Sequence, residues 1–373
     1  MAVSLFTVTN SETFHMEEDL DDHGKILFTD TLSIKTTDGM STSIVVGSEK
    51  YPGYVDGVGE AARFNGIYGF TQLNTSLVVV ADSSSHCLRF VDRVTNQTST
   101  FIGLCTQRGF TDGEGQNALF DIPFSLMVFN STSLLVSDLA NNAIRLVDVE
   151  TATVSTLITD ILSPKGMEMA DSSQQFYVLA GSVLALVDVE SLTFEVLKSA
   201  EPGLQDGNLS SSQYMFPTSI DRLDNDTLVV ADAIASRIRM ISLSTGEVTS
   251  ICAAVTPPAR DTSDELRMDI DCPPYLALTV LKSGDALYIG GSRSINVVLL
   301  NENSTDAGGS SEGSGDSSGS GDESEEESSS SGEDGSRDSS DGDEAGGDDK
   351  SGCNIISSFT LIVIIALLSA SFI

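Results

Sequence analysis

Basic residues and histidines are scarce in this chain, and common catalytic motifs are missing from it. Its 373 residues include only 19 Lys and Arg against 55 Asp and Glu, a formal net charge of −36. Nucleic-acid binding requires a Lys/Arg surface to neutralise phosphates, so we expect no nucleic-acid partner. There are three His, and no HExxH motif, Ser-centred elbow or Gly-rich phosphate loop. We therefore predict no catalytic, cofactor-binding or metal-binding residues and no cofactor.

The acidic residues are concentrated near the C-terminus. Residues 303–350 hold 16 Asp/Glu and 2 Lys/Arg, and almost nothing apolar. Such a segment cannot bury enough surface to offset its ordering entropy, so we predict a disordered stalk. Ser-Gly pairs beside acids resemble glycosaminoglycan attachment sites, and they occur at Ser314, Ser318, Ser320 and Ser331. The remaining charge leaves residues 1–302 acidic as well, which favours a soluble monomer.

The only long uncharged apolar run is at the very end of the chain. Residues 355–373 contain no charge and follow the small residues Ser351 and Gly352. Small residues, a spacer and an apolar end predict glycosylphosphatidylinositol (GPI) attachment, with residues 351–373 as the signal. We expect attachment at Ser351 or Gly352, with Gly346 or Gly347 as the alternative. A tail-anchored helix on a cytosolic protein remains the competing interpretation.

A secretory signal is not visible in the first residues, which have no basic region and no apolar run of seven. We expect the chain nevertheless to reach the extracellular face of the plasma membrane, where N-x-S/T sequons predict N-glycosylation. The sequons are at Asn74, Asn96, Asn130, Asn208, Asn225 and Asn303. Three of them precede the same strand of three repeats, where a tight turn also favours Asn.

Five Cys is an odd number for a disulfide framework. Removal of Cys353 with the anchor signal would leave four, for which three pairings exist. Cys87 and Cys105 flank adjacent strands of one repeat, which places them within bridging range. We therefore favour Cys87–Cys105 and Cys252–Cys272.

A repeat dominates residues 25–301. Residues 53–92 recur at 109–148 and 203–242, with shorter copies at 163–190 and 272–301 and a degenerate one at 25–47. Within residues 53–103 the pattern predicts four strands at 66–72, 77–81, 87–92 and 98–103. Four short strands per repeat predict an all-β, six-bladed β-propeller over residues 1–302. The last copy lacks its fourth strand, and residues 3–8, within a closing segment 1–10, could supply it.

The repeats resemble the NHL family of six-bladed propellers. The resemblance is carried by a DG-x-G-x-x-A-x-F run and by an Asp followed by an x-I-R-h-h-D strand. These residues are Asp56, Gly57, Gly59, Ala62, Phe64, Asp82, Leu88, Arg89 and Asp92; Asp112, Gly113, Gly115, Ala118, Phe120, Asp138, Ile144, Arg145 and Asp148; and Asp232, Ile238 and Arg239. No Arg follows the first copy, and the fourth and sixth copies lack the DG run. Because the Asp and Arg recur at one blade position, we interpret them as tying strands together.

Together with the anchor signal, the repeats lead us to predict a non-catalytic, protein-binding propeller of adhesion or receptor type, with an unidentified extracellular protein or glycan as ligand. Some six-bladed propellers are hydrolases or lyases that hold Ca or Zn in the channel. Glu168 and Asp221 come from inner-strand positions and could face such a channel. His15 and His23 lie in the degenerate first copy, and His86 lies in a turn. A channel-metal enzyme is therefore kept as an alternative.

Overall fold

The chain folds into six antiparallel sheets in a computed structural model that describes residues 3–6, 13–197, 201–253, 277–283, 286–291 and 295–299. Five sheets are each built from one contiguous segment, and we number them blades 1 to 5. Blade 1 contains β2 (His15–Glu18), β3 (Ile26–Thr29), β4 (Ser33–Thr37) and β5 (Thr42–Gly47). Blade 4 contains β16 (Pro164–Met169), β17 (Gln175–Ala180), β18 (Val183–Asp188) and β19 (Thr193–Val196).

Blades 2, 3 and 5 each have a fifth strand of two residues at the outer edge. Blade 2 contains β6 (Gly57–Val58), β7 (Ile67–Asn74), β8 (Leu77–Asp82), β9 (Cys87–Asp92) and β10 (Gln97–Ile102). Blade 3 contains β11 (Gly113–Glu114), β12 (Pro123–Asn130), β13 (Ser133–Asp138), β14 (Ala143–Asp148) and β15 (Thr153–Ile158). Blade 5 contains β20 (Gly207–Asn208), β21 (Pro217–Arg222), β22 (Thr227–Asp232), β23 (Arg237–Ser242) and β24 (Glu247–Ala253). Single 3-10 turns occupy Gly59–Ala61, Ser83–Ser85, Gly115–Asn117 and Leu139–Asn141.

The sixth sheet joins the two ends of the described chain. Its strands are β1 (Val3–Phe6), β25 (Ala277–Ser283), β26 (Ala286–Gly291) and β27 (Ile295–Leu299). β1 pairs antiparallel with β27, with Val3 opposite Val298 and Phe6 opposite Ile295. The first strand of the chain therefore completes the last sheet, which we call blade 6.

Each blade is apolar on both faces because alternate residues of its strands pack against different neighbours. In β8, Val79 and Ala81 pack with Phe120 and Leu134 of the next repeat. Val78 and Val80 of the same strand instead pack with the preceding blade, including Leu27. All the β8 residues from Val78 to Ala81 are fully buried. A single sheet of this kind cannot bury both faces, so the blades must stack side by side.

The stacking closes into a ring. The innermost strands contact one another in the cyclic order β2, β7, β12, β16, β21, β25 and back to β2. This arrangement is an all-β propeller whose central channel is lined by the inner strands. The strands predicted for residues 66–103 match β7 to β10 to within two residues at each end.

Deleting residues 1–6 should destabilise the whole ring, because β27 would lose its outer partner and the blade that joins the chain ends would lose a strand. We expect the melting temperature to fall by more than about 5 °C, since a loss of a few kcal/mol shifts it by several degrees. Circular dichroism of the full chain and the truncated chain measures this. An unchanged melting temperature would show that β1 adds nothing to ring closure.

Candidate functional site

Neighbouring inner strands meet at equivalent positions, as blades 2 and 3 and blades 4 and 5 show. A Cβ on Gly69 would lie 2.5 Å from the carbonyl oxygen of Phe124, next to the equivalent residue Ser125. A Cβ on Gly166 would lie 2.9 Å from the carbonyl oxygen of Thr218, again next to the equivalent residue. The inner strands therefore run in the same direction, and the propeller has two distinct faces. The hairpin face carries two turns of each blade, the one between the first and second strands and the one between the third and fourth strands. The link face is the opposite face, where the blade-to-blade links begin.

A buried arginine fastens the link to its blade in blades 2 and 3. Arg89 donates to Asp56 of the link at 2.5 Å and to Asp82 at the end of β8 at 3.2 Å. Arg145 donates at 2.7 Å to both Asp112 and Asp138. Both guanidinium groups are fully buried. Each arginine is thus held between one link carboxylate and one strand carboxylate.

Blade 5 repeats this arrangement with Arg239, whose side chain contacts Asp206 of the link and lies 3.8 Å from Asp232. In all three blades the link carboxylate also accepts the backbone N–H of the outer strand, at 3.0 to 3.1 Å. These backbone donors are Thr100, Thr156 and Ser250. An aromatic ring covers each guanidinium group at 5.3 to 5.4 Å from its centroid, and these rings belong to Phe64, Phe120 and Tyr214.

The recurring Asp and Arg therefore hold strands and links together, as their repetition indicates. Burial raises the pKa of Asp82 and of Asp138 to about 6, although the adjacent arginine opposes the shift. A buried ion pair of this kind gives the blade a defined link position at a desolvation cost.

Blade 1 contains a variant that the sequence pattern missed. Lys35 occupies the arginine position and lies 2.8 Å from Asp30 and 2.6 Å from Glu49. No Arg follows the first copy, as its sequence shows, but Lys35 supplies the same positive charge at that position. Blade 4 has neither partner, since Ala180 and Ala185 stand at the Asp and Arg positions.

Three acidic residues occupy equivalent inner-strand positions around the channel. The carboxylate of Glu17 accepts the backbone N–H of Gln72 in the next blade at 3.0 Å. Asp221 likewise accepts the N–H of Lys282 in the next blade at 2.5 Å. At the third position the equivalent N–H, that of Arg222, donates to Asp221 instead. Glu168, the acid at this position, thus lacks the donor that its counterparts have.

Glu168 consequently has the most perturbed carboxyl group of the channel. Burial and then the negative charge of Asp221 raise the pKa of Glu168 to about 8. Burial also raises the pKa of Asp221, against the backbone donors Lys282 and Arg222. Sequence reasoning named both acids, and the ring brings them close enough to interact. A carboxyl group with a pKa of about 8, such as that of Glu168, can serve as a proton donor near neutral pH.

His15 lies in this channel rather than apart from it. It is on the inner strand β2, with Nε2 3.5 Å from Glu17, and its ring packs edge-on against Phe70. The degenerate first copy forms blade 1, and its inner strand contributes His15 to the channel. His86 does lie in a turn, where Nδ1 accepts the N–H of Ile122. Among the described residues, no three His, Cys, Asp or Glu side chains are grouped so as to hold a metal ion.

The sequons within the described residues lie toward the hairpin face. Asn74, Asn130 and Asn225 are exposed in turns between first and second strands, and Asn96 is in the turn before β10. Asn208 is exposed on β20, opposite Glu247 at the start of β24. In Asn74, Asn130 and Asn208 the side-chain oxygen accepts the N–H two residues later, which explains Asn at these turns without a glycan.

The predicted Cys87–Cys105 disulfide is present, joining the start of β9 to the link that follows β10. The other predicted modification sites fall outside the described residues. They are Asn303, Ser314, Ser318, Ser320, Ser331, Ser351 and Gly352, together with Cys272 and the side chain of Cys252. In the described part of the chain, no helix has the length and apolarity needed to cross a membrane.

Comparison with known proteins supports the repeat type. The chain is 34% identical over 133 residues to NHL repeat-containing protein 2 of Bos taurus and 33% identical over 135 residues to its Homo sapiens counterpart. The fold is an NHL-like propeller. Each match covers 34% of this chain and only 18% of the relative, so the chain spans less than a fifth of the length of these proteins. No family model matches.

Solved structures share the propeller fold at low sequence identity. An auxiliary nutrient binding protein of Bacteroides thetaiotaomicron has a TM-score of 0.58 at 10% identity, covering 79% of this chain and 70% of that chain. Virginiamycin B lyase of Staphylococcus aureus has a TM-score of 0.51 at 11% identity, covering 80% of this chain and 99% of the lyase. At this identity the likeness concerns the fold alone.

Replacing Arg145 by Ala should destabilise the propeller by about 3–5 kcal/mol, because Asp138 would remain buried without its partner. The double variant D138A/R145A should recover part of this loss, since blade 4 tolerates Ala at both positions. Urea unfolding of the two variants and the parent protein measures the difference. A double variant at least as unstable as R145A would contradict the ion-pair account.

The neutral carboxyl group of Glu168 should make stability depend on pH. Its pKa is raised to about 8 in the folded state against about 4.3 when unfolded, so the folded state binds the proton more tightly. The stability from this group is present below pH 4.3 and is lost as the pH rises through 8. Glu168→Gln should therefore gain about 1–3 kcal/mol relative to wild type between pH 5 and pH 8.

The control is Glu60→Gln, which removes an exposed carboxylate from the 3-10 turn at Gly59–Ala61. Its stability difference from wild type should stay flat over the same range in urea titrations. A flat difference for Glu168→Gln as well would show that Glu168 is ionised normally in the channel.

Proposed function

We propose that the chain is a GPI-anchored member of the NHL family that works outside the cell as a non-catalytic, protein-binding propeller. In this proposal residues 1–302 form a six-bladed binding module and residues 303–350 form an extended stalk. Ser351 or Gly352 carries the lipid anchor, and the rest of the signal after it is removed. The ligand is an extracellular protein or glycan of adhesion or receptor type. The module is a monomer on the outer face of the plasma membrane and binds no nucleic acid.

The observation that carries the proposal is the location of the sequons on one of the two faces of the propeller. The sequons Asn74, Asn96, Asn130, Asn208 and Asn225 all lie toward the hairpin face. Glycans there would leave the link face open to a partner. The Cys87–Cys105 disulfide supports an oxidising compartment, because disulfides rarely persist in the cytosol.

Exposed apolar side chains favour the links as the contact surface. Among the described residues, nine of the seventeen exposed large apolar side chains lie on the blade-to-blade links, although these links are a minor part of that region. They are Tyr51, Tyr54, Val55, Val58, Leu104, Phe110, Leu162, Leu204 and Met215. Aromatic residues are enriched at binding surfaces, so the exposed Tyr51, Tyr54 and Phe110 are the first link residues to test for a contact.

A second candidate function, a hydrolase or lyase, is favoured by the channel group of His15, Glu168 and Asp221. The carboxyl group of Glu168, with a pKa of about 8, interacts with Asp221, and Asp221 in turn with His15, which suits general acid–base chemistry. In this candidate Glu168 would transfer the proton, as a hydrolase or lyase of the channel requires. Turnover that is lost in Glu168→Gln would favour this candidate.

Release by phosphatidylinositol-specific phospholipase C tests the proposed anchor. The chain is expressed behind a known signal peptide, intact cells are treated, and the medium is blotted. We expect release into the medium. The matched control carries Ile364→Arg and Ile365→Arg, which interrupt the apolar terminal run, and it should show no enzyme-dependent release.

The two other outcomes separate the alternatives. Surface exposure with retention after treatment would indicate a spanning helix. An absence of surface exposure would contradict the proposal and favour a cytosolic, tail-anchored scaffold with the acidic stalk as a kinase substrate.

A further inference from the structure

The outer edge of blade 4 differs from that of its neighbours. In blades 2, 3 and 5 the outermost long strand is covered by a two-residue link strand, β6, β11 or β20. Within the described residues, blade 4 ends at β19 and no strand pairs with its outer edge. All four β19 residues, Thr193–Val196, are exposed.

Equivalent positions show how unusual this exposure is. Phe194 lies opposite Val187, as Val154 lies opposite Val147 and Thr98 opposite Val91. Thr98 and Val248 are fully buried and Val154 is 1% exposed, whereas Phe194 is 36% exposed and Val196 45%. The outer strand is covered in blades 2, 3 and 5, but in blade 4 it exposes an aromatic and an aliphatic side chain to solvent.

The strand register also identifies the backbone groups at this edge. In blade 3, Val154 pairs outward with Gly113, and the N–H of Thr156 donates outward to Asp112. β19 pairs with β18 in the register that β15 has with β14. Phe194 and Val196 therefore direct their N–H and C=O groups outward, where a further strand could bond to them.

The missing cover follows from the sequence of blade 4. The buried Arg and Asp that hold a link in blades 2, 3 and 5 are replaced by Ala185 and Ala180. The link into this blade spans only residues 159–163 and has no DG run. Blade 1 also has four strands, but the equivalent positions of its outer strand, Thr42 and Ile44, are half-buried. The open apolar edge is thus a property of blade 4 among the described blades 1 to 5.

We propose that the outer edge of β19 is a strand-addition site for an extended segment of a partner protein that alternates apolar and basic side chains. Phe194 and Val196 provide the apolar contacts on one side of the edge, and the outward backbone groups provide the hydrogen bonds. Glu195 and Glu190 are exposed beside them, which favours basic side chains in the added segment. A second copy is disfavoured because each chain carries a net charge of −36. The inference needs only the fold and does not depend on the lipid anchor or on binding at the links.

Peptide binding to the full chain in mild detergent tests this site. The probe is a fluorescein-labelled ten-residue peptide of alternating Val and Lys, and fluorescence anisotropy reports its affinity. A Pro/Lys peptide of equal length and charge cannot donate backbone hydrogen bonds at its Pro positions and should bind far more weakly. Binding of the Val/Lys peptide should slow hydrogen exchange of the Phe194 and Val196 amides at least about tenfold, since strand pairing protects them.

Two variants locate the binding. Val196→Pro removes an outward N–H without removing a bond to β18, and it should weaken binding about fivefold or more, as loss of one hydrogen bond does. Phe194→Lys should weaken it through like charge and lost apolar contact. The matched control Val94→Lys adds the same charge at an exposed turn of blade 2 and should bind like wild type.

The proposal is overturned if wild type does not bind the Val/Lys peptide, if the Pro/Lys peptide binds equally well, or if both β19 variants bind like wild type. It is also overturned if sedimentation shows a dimer that Val196→Pro abolishes, since the edge would then be occupied by a second copy.

Discussion

The structure depends on one packing constraint: each sheet is apolar on both faces and must be covered by a neighbour on either side. Val79 and Ala81 pack toward the next blade, and Val78 and Val80 toward the previous one, so every blade is stable only within the ring. Ring closure then sets the inner strands side by side in matched register. It brings the channel acids of separate repeats together and sorts the turns into two faces. The division between hairpin face and link face is therefore a consequence of core packing.

A second interaction, the buried arginine between two carboxylates, decides how each blade ends at its outer edge. Arg89, Arg145 and Arg239 hold a link segment across the outermost strand and shield apolar residues from water. Lys35 provides a related charge pair in blade 1. Blade 4 has Ala at the Asp and Arg positions, and its outer strand is uncovered. In the neighbouring blades 3 and 5 a two-residue link strand covers the same edge. The Arg–carboxylate pairs stabilise blades 2, 3 and 5. Their absence from blade 4 leaves the outer edge of that blade open to a partner.

The sequence predicted much of the fold because the repeat is regular where the DG run and the Arg strand are intact. Strand positions in blade 2 and the Cys87–Cys105 pairing agree with the structure for that reason. Lys35 was missed because the pattern was matched by residue type rather than by charge. The channel group was only partly seen, since His15, Glu168 and Asp221 are far apart in the chain and meet only when the ring closes. The open edge could have been inferred from the absent DG run, but its exposure depends on the register of β19.

The central claim is that this propeller works outside the cell, with glycans on its hairpin face and its partners elsewhere. Site-by-site glycopeptide mass spectrometry of protein from cells that express the complete natural coding sequence tests this claim most directly. The account predicts N-linked glycan on Asn74 and Asn130, the exposed sequons in turns between first and second strands. Unmodified asparagine at all five described sequons, with Cys87 and Cys105 recovered as free thiols, would contradict it.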